Sequence, residues 1–524
     1  MAISSSDSTT QTVTPSKLDV GLGRLRGNLL GNAGSFVVSL AIGVWMTPYL
    51  ISHLGVATYG LVPLATNITS YMAIITVALS GSVGRFLAVD IAGDDVESAN
   101  RTFNTSLLAS LALAIALLPL VGALAWFGPS VLSVPPGQEN AARWLLLSAG
   151  LAFLINTVGS NFAASTFARN RLDLQRMADV IGTLTQAACI VILFAVYGAS
   201  LWQVGLALLA MAAARQITNW ALWRRLTSEL RVCRKAFDGS KLRSVLGMGG
   251  WLTVNAAGAI LLLQAELLMA NLMLGAHAAG LYAPLVQWST LLRSLTGVAS
   301  GVLTPTFVVH YVRGEEDRLT SVARLAVKTL GLAIALPVGL VAGLSEPLLR
   351  TWLGDEYAHL WPLLALMTLP LSINLAVIPL YGVNQAMNRL LCPSAVIVPA
   401  GLANVALAAV LAGPLGWGLY GIAGAGVIVQ TCYSLFFTPV YAAHILRRHH
   451  STFLLELIPC SIGALLVALL SRWLSTTIDV ASWPELLATG AGVAGLYTIA
   501  AFRVGLHKPE RELLKSLLGA GGHR

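Results

Sequence analysis

Charge is what this 524-residue sequence lacks most: Asp, Glu, Lys and Arg supply 10% of it, against 56% hydrophobic residues. An average soluble domain carries about 25% charged residues, so the composition excludes a water-soluble fold. Long polar segments are missing as well, and nothing between the apolar stretches could form a soluble domain. Cysteine is scarce. Cys189, Cys233, Cys392, Cys432 and Cys460 lie far apart with no CxxC or CxxH spacing, which implies neither disulfides nor a metal site. There is no GxxxxGK[ST] loop, no HExxH pair and no pair of carboxylates in a long external loop, so an ATP-driven or hydrolytic enzyme and a membrane glycosyltransferase both lack their chemistry. No filter-like loop suggests a channel, and no cofactor is implied.

What is present is apolar length. A bilayer core of about 30 Å needs roughly 20 apolar residues in a helix, which satisfies its own backbone. Fourteen segments qualify, beginning near Asn28, Leu61, Phe103, Ala142, Met177, Leu201, Val245, Ala279, Ser321, Leu360, Leu391, Leu419, Thr452 and Ser482. The expected fold is an all-α polytopic membrane protein of about 14 transmembrane helices. The net charge of +9 is spread through short connections rather than gathered on one surface, which argues against nucleic acid. With both termini cytoplasmic, only Arg143, Arg350 and Arg472 fall outside and Arg215 and Arg293 within spans, leaving 27 of the 32 Lys and Arg residues on or near the inner side. A multi-pass membrane protein with both termini inside is the expectation. Its longest basic connection, Arg224 to Arg243, reads as a topology determinant lying against anionic lipid.

The sequence also repeats. At an offset of 220, Leu54, Gly55, Gly60, Leu61, Thr76, Ser80 and Gly81 match Leu274, Gly275, Gly280, Leu281, Thr296, Ser300 and Gly301. At an offset of 218, Ala168, Asn170, Arg171 and Leu172 match Ala386, Asn388, Arg389 and Leu390. Six crossings separate the copies, so both start on the same side and the repeat is parallel, one of the plans of secondary transporters. The expected division is a disordered cytoplasmic tail (1–23), a six-helix bundle (24–223), a basic linker (224–244), a second six-helix bundle (245–446), two additional C-terminal helices (447–505) and a second cytoplasmic tail (506–524).

The run from Arg26 and Asn28 through Pro48 to Leu54, Gly55, Tyr59, Gly60, Gly81 and Arg85, the stretch from Trp352 to Tyr357, and the Gly-rich segment from Asn404 to Gly424 resemble the polysaccharide transport family of the multidrug, oligosaccharidyl-lipid and polysaccharide exporter superfamily, the O-antigen and exopolysaccharide flippases. The resemblance implies a two-lobed alternating-access flippase. It would carry an undecaprenyl-diphosphate-linked oligosaccharide to the outer leaflet, with membrane lipid around it, proton or sodium coupling, and an association with polysaccharide polymerase machinery. A peptidoglycan-precursor flippase and a multidrug or cation antiporter are the alternatives. The first would call for several cations in the first bundle, where Arg215 alone qualifies, and the second for a deep carboxylate there, which is missing.

Ionisable groups inside a span cost several kcal/mol unless paired or wetted, which makes them functional candidates. Glu266 lies nine residues before Gly275 and Arg293 thirteen after Gly280, roughly 14 and 20 Å below one external hairpin. Thr290, Arg293, Gly297, Ser300 and Thr304 recur at helical spacing and are expected to line a cavity. Asn255 shares a face with Glu266, and Gln264 shares another with Asn271. Arg215 is a third candidate, near enough to its helix end to snorkel. The cavity set is therefore Arg293, Glu266, Arg215, Gln264, Thr290 and Ser300. Arg324 and Lys328 read as interfacial anchors, and His53, His277 and His359 as solvated residues in connections.

Overall fold

The computed structural model describes residues 15–233, 236–301 and 303–505, and these contain helices and turns but no strand. The first bundle comprises α1 (Pro15–Leu54), α2 (Leu61–Ala92), α3 (Val96–Val131), α4 (Glu139–Ala168), α5 (Leu172–Tyr197) and α6 (Leu201–Leu226). The second comprises α7 (Gly239–Leu263, continued by Ala265–Leu274), α8 (Ala276–Gly301, continued by Thr304–Val312), α9 (Glu316–Gly343), α10 (Trp361–Ala386), α11 (Leu391–Ala412) and α12 (Gly418–Ile445). Two more helices follow, α13 (Leu457–Ile478) and α14 (Trp483–Ala500). Each expected apolar segment is thus helical. Twelve helices among the described residues are long and apolar enough to cross a membrane, thirteen if the two pieces of α7 count as one bent span. Helix α6 is outside that set: its 26 residues are long enough, but Gln203, Arg215, Gln216 and Asn219 interrupt its apolar run.

Two expectations change at the beginning of the chain and at α9. Helix α1 begins at Pro15, inside the stretch expected to be a disordered tail; residues 1–14, like 506–524, lie outside the described residues. Lys328 is no interfacial anchor. It is 5% exposed, with its ammonium 3.9 Å from the buried Glu456 carboxylate, to which Arg324 also donates at 2.6 Å. A buried cation is held this way because unpaired burial would cost far more.

Backbone geometry repeats where the sequence does. Gly55 and Gly275 have φ of 79° and 92°, and Asn170 and Asn388 both have φ of 53°. Asp94 and Gly314, again 220 apart, are left-handed, as are Gly198 and Gly416, which lie 218 apart. Left-handed turns end helices and cost non-glycine residues strain, so four coincident positions support two copies of one unit. Helices α13 and α14 have no such counterparts. Helix α13 packs on α9 along Gly331, Gly339 and Gly343, where a Cβ would collide with Cys460, Val467 and Ala468. Small residues four or eight apart allow this close approach.

The bundles meet at two seams. At the hairpin face, Gly60 and Gly280 abut: a Cβ on Gly60 would enter the Gly280 backbone, and one on Gly280 would enter the Val56 carbonyl. Beside them Thr47 donates to Gln287 at 2.8 Å, the Trp352 indole donates to the Val44 carbonyl at 2.6 Å, and Asn271 exchanges hydrogen bonds of 2.9 and 3.0 Å with the Ser133 backbone. At the opposite, linker face, Lys241 of α7 donates to Ser98 at 2.6 Å and lies 3.6 Å from Asp90.

The linker itself is strapped to α3. The Asn100 amide donates to the Glu229 carbonyl and accepts from the Arg231 N–H; one turn on, Asn104 donates to the Arg231 carbonyl and accepts from the Cys233 N–H. Thr105 then accepts from the Asp238 N–H at 2.9 Å. Residues i and i+4 share a helix face, and alternate residues of an extended strand present their polar groups to one side, so the two match. The stretch expected to lie against lipid therefore has its backbone bonded to the first bundle; Arg234 and Lys235 lie outside the described residues.

Candidate functional site

In the second bundle, the polar candidates converge around a break in α7. The two pieces of α7 meet at 47°, with the half-buried Gln264 at the junction. Asn404 of α11 donates to the Leu261 and Leu262 carbonyls there, at 3.4 and 3.1 Å, while its own buried Oδ1 has no partner among the described residues. Just past the break, Glu266 accepts a 2.5 Å hydrogen bond from the buried Tyr282 hydroxyl of α8. Its second oxygen occupies the place that a Cβ at Gly426 of α12 would need. Arg293, three turns along α8, donates to Gln430 of α12 at 2.7 Å. Arg293 and Glu266 have no hydrogen bond to each other among the described residues; their neighbours Gln430 and Gly426 lie one turn apart on α12.

Along α8, Thr290 is exposed and hydrogen-bonds only back to Val286, and the Gly297 position faces open space. Ser300 and Thr296 are buried. Three residues advance a helix by about 300°, not a full turn, so Ser300 rotates off the open edge that carries Thr290 and Gly297.

In the first bundle, Arg215 has an acidic partner. Its guanidinium lies 2.7 Å from Asp179 of α5 and lines a cavity of about 370 Å³ inside the bundle. The other polar groups there are Arg85, Asn156, Ser160, Gln175, Gln216 and Asn219. Gln216 donates to Asn156 at 2.7 Å and accepts from Asn219 at 3.2 Å, while the buried Asn219 Oδ1 has no partner among the described residues. Gly159 makes room for this chain, since a Cβ there would strike the Gln216 amide.

Arg85, Asn219, Tyr282 and Gln430 were not among the sequence candidates. Arg85 was available: no Gly or Pro separates it from Ala92, so α2 continues two turns beyond it, and its exposed side chain lines the cavity. Tyr282 and Gln430 became visible only once the helices that touch were known.

A family model described as "Polysaccharide biosynthesis protein" matches residues 53–362. The uncharacterized membrane protein EpsK of Bacillus subtilis (strain 168) is 34% identical over 488 residues, 93% of this chain and 96% of EpsK. Among solved structures, the eukaryotic MATE transporter AtDTX14 superposes with a TM-score of 0.59 at 14% identity, over 86% of this chain and 99% of that one. An inward-facing multidrug resistance MATE family transporter of the MOP superfamily gives 0.58 at 15% identity, over 82% and 95%. A MOP superfamily transporter from Pyrococcus furiosus gives 0.58 at 16% identity, over 84% and 95%. At such identities the likeness establishes a MATE-like fold, while the family match and the relation to EpsK settle membership: the chain belongs to the polysaccharide biosynthesis protein family of multi-pass membrane proteins.

Proposed function

We propose that the protein is a flippase that moves an undecaprenyl-diphosphate-linked oligosaccharide across a bacterial inner membrane by alternating access, for surface polysaccharide synthesis, with both termini in the cytoplasm. The observation that carries this reading is Arg293, a half-buried guanidinium in the middle of α8 of the second bundle, about 60° round the helix from the open edge of Thr290. Its hydrogen-bond partner is the neutral amide of Gln430, not a carboxylate. A planar guanidinium with several donors suits a diphosphate or an acidic sugar, and an amide gives it up to an anion more readily than an ion pair would.

Glu266 is the coupling group in this reading. It sits beside a broken helix whose carbonyls are held by Asn404, and interrupted spans with exposed carbonyls are where transporters hold sodium or protons. Glu266 lies against Gly426 and Arg293 bonds Gln430, one turn further along α12, so an anion on Arg293 reduces the positive charge near Glu266 and occupancy of one site changes the other. An association with polysaccharide polymerase machinery belongs to the same reading.

In cells, Arg293→Lys is expected to insert normally and to reduce saccharide export about tenfold, because charge remains while the fork and its charged hydrogen bonds are lost. Surface polysaccharide is the measurement, with membrane abundance as the control. Export at the wild-type level in the double variant Arg293→Gln with Glu266→Gln would sink the proposal.

A further inference from the structure

The first-bundle cavity has a different chemistry from the network around Arg293. No carboxylate lines it, yet two guanidinium groups do. Arg215 is paired with Asp179, whereas Arg85 has no hydrogen-bonding or ionic partner among the described residues. The amides form a directed chain, Asn219 to Gln216 to Asn156, and the chain leaves one acceptor unused, the Asn219 Oδ1 of a side chain that is 2% exposed. A buried acceptor without a donor costs free energy until a ligand supplies one. The cavity therefore asks for two things at once: an anionic oxygen for Arg85 and a hydroxyl for Asn219.

We propose that this cavity binds the carboxylate-bearing sugar of the transported saccharide, so that the protein selects an acidic repeat unit. The inference rests on the flippase reading and names its substrate class. A uronate-type sugar carries a carboxylate that a guanidinium engages through two parallel hydrogen bonds, and its hydroxyls donate to an amide oxygen. The diphosphate of the lipid carrier offers anionic oxygens to Arg85 but no hydroxyl donor for Asn219, so the unused acceptor favours the sugar. A volume of about 370 Å³ lies within the range of small-ligand pockets, about 300–1,000 Å³. The Phe167 ring closes one wall and is itself seated on Gly84, where a Cβ would press on it at 3.2 Å.

The test is a binding titration of the purified full-length protein with three probes: trigalacturonate, neutral maltotriose and inorganic pyrophosphate. Trigalacturonate is expected to bind at least about tenfold more tightly than either of the others, and Arg85→Gln to remove about tenfold of that affinity. Asn219→Ala is expected to weaken trigalacturonate binding as well. Thermal unfolding of each variant guards against misfolding, and Arg85→Lys, which keeps the charge, is expected to recover part of the affinity. Pyrophosphate binding as tight as trigalacturonate would assign the cavity to the carrier and overturn the inference. So would an Arg85→Gln protein that titrates like wild type, or the absence of trigalacturonate binding. Export in the Arg293 variants measures transport and not this cavity, so a failure of this inference is told apart from a failure of the flippase reading.

Discussion

The two seams between the bundles are built from different materials. At the hairpin face the contact is neutral and close: Gly60 against Gly280, an amide on a hydroxyl, an indole on a carbonyl. At the linker face an ion pair, Asp90 with Lys241, stands beside a covalent connection strapped down by Asn100 and Asn104. A glycine seam holds by fit and parts without stranding a charge. A strapped seam holds the chain that joins the bundles, whatever they do. The comparison teaches that left-handed turns recur in both bundles, while the residues at their contacts make the two faces unequal.

The largest effect that could break this comparison is expected from Gly280→Ala. Its Cβ would press on the Val56 carbonyl, and overpacking of this kind costs about 1–3 kcal/mol. Cysteines introduced at Thr47 and Gln287 should be joined by a short bifunctional maleimide in the parent protein and about tenfold more slowly with Gly280→Ala, since about 1.4 kcal/mol is a factor of ten. Unchanged cross-linking would show that fit at the glycines does not hold the seam. A smaller effect is expected at the other face, where Asn104→Ala removes two hydrogen bonds to the linker backbone, of 2.8 and 2.7 Å. At about 1 kcal/mol each, limited trypsin digestion near Arg231 should speed up several-fold. A linker as protected as the wild type would mean that Asn100 and Thr105 suffice.

The smallest effect concerns charge on the hairpin side. Glu346, between Arg472 at 2.7 Å and Arg350 at 2.9 Å, is held by the Arg472 hydrogen bond below the usual carboxylate range. A lowered folded-state value makes the pair stabilising above the ordinary value of 4.5, and this stabilisation disappears as pH falls through the folded value. Partly exposed pairs contribute about 0.2–1 kcal/mol, so Glu346→Gln should lower the unfolding midpoint at neutral pH by no more than about 2 °C. Once pH has fallen below the folded value the variant and wild type should converge; a constant difference across pH would assign the effect to packing.

Much of this architecture was legible in the amino-acid order because it is written in local signals. Apolar length gave the helices, and the offsets of 220 and 218 anticipated the left-handed positions at Gly55, Gly275, Asn170 and Asn388. Glu266 and Arg293 stood out by charge alone. Their partners did not, because Tyr282 and Gln430 lie 16 and 137 residues away from the groups they bind, and hydropathy does not specify which helices touch. Helical spacing also left Thr290 and Ser300 on one stripe, although a rotation of about 60° from a full turn is enough to bury Ser300. Arg85 was hidden by counting it with the basic residues at the membrane edge, while its helix runs on to Ala92.

Helix α6 is the least apolar of the first bundle and carries an arginine in its body, so on its own it is a poor candidate to leave water for lipid. The pairing of Arg215 with Asp179 changes that arithmetic during biogenesis. The two residues sit on consecutive helices joined by three residues, and a hairpin that carries its own counter-ion enters the bilayer with that charge neutralised. The expected consequence is that insertion of the sixth helix depends on the fifth, and that Asp179→Asn lowers the amount of protein recovered in the membrane.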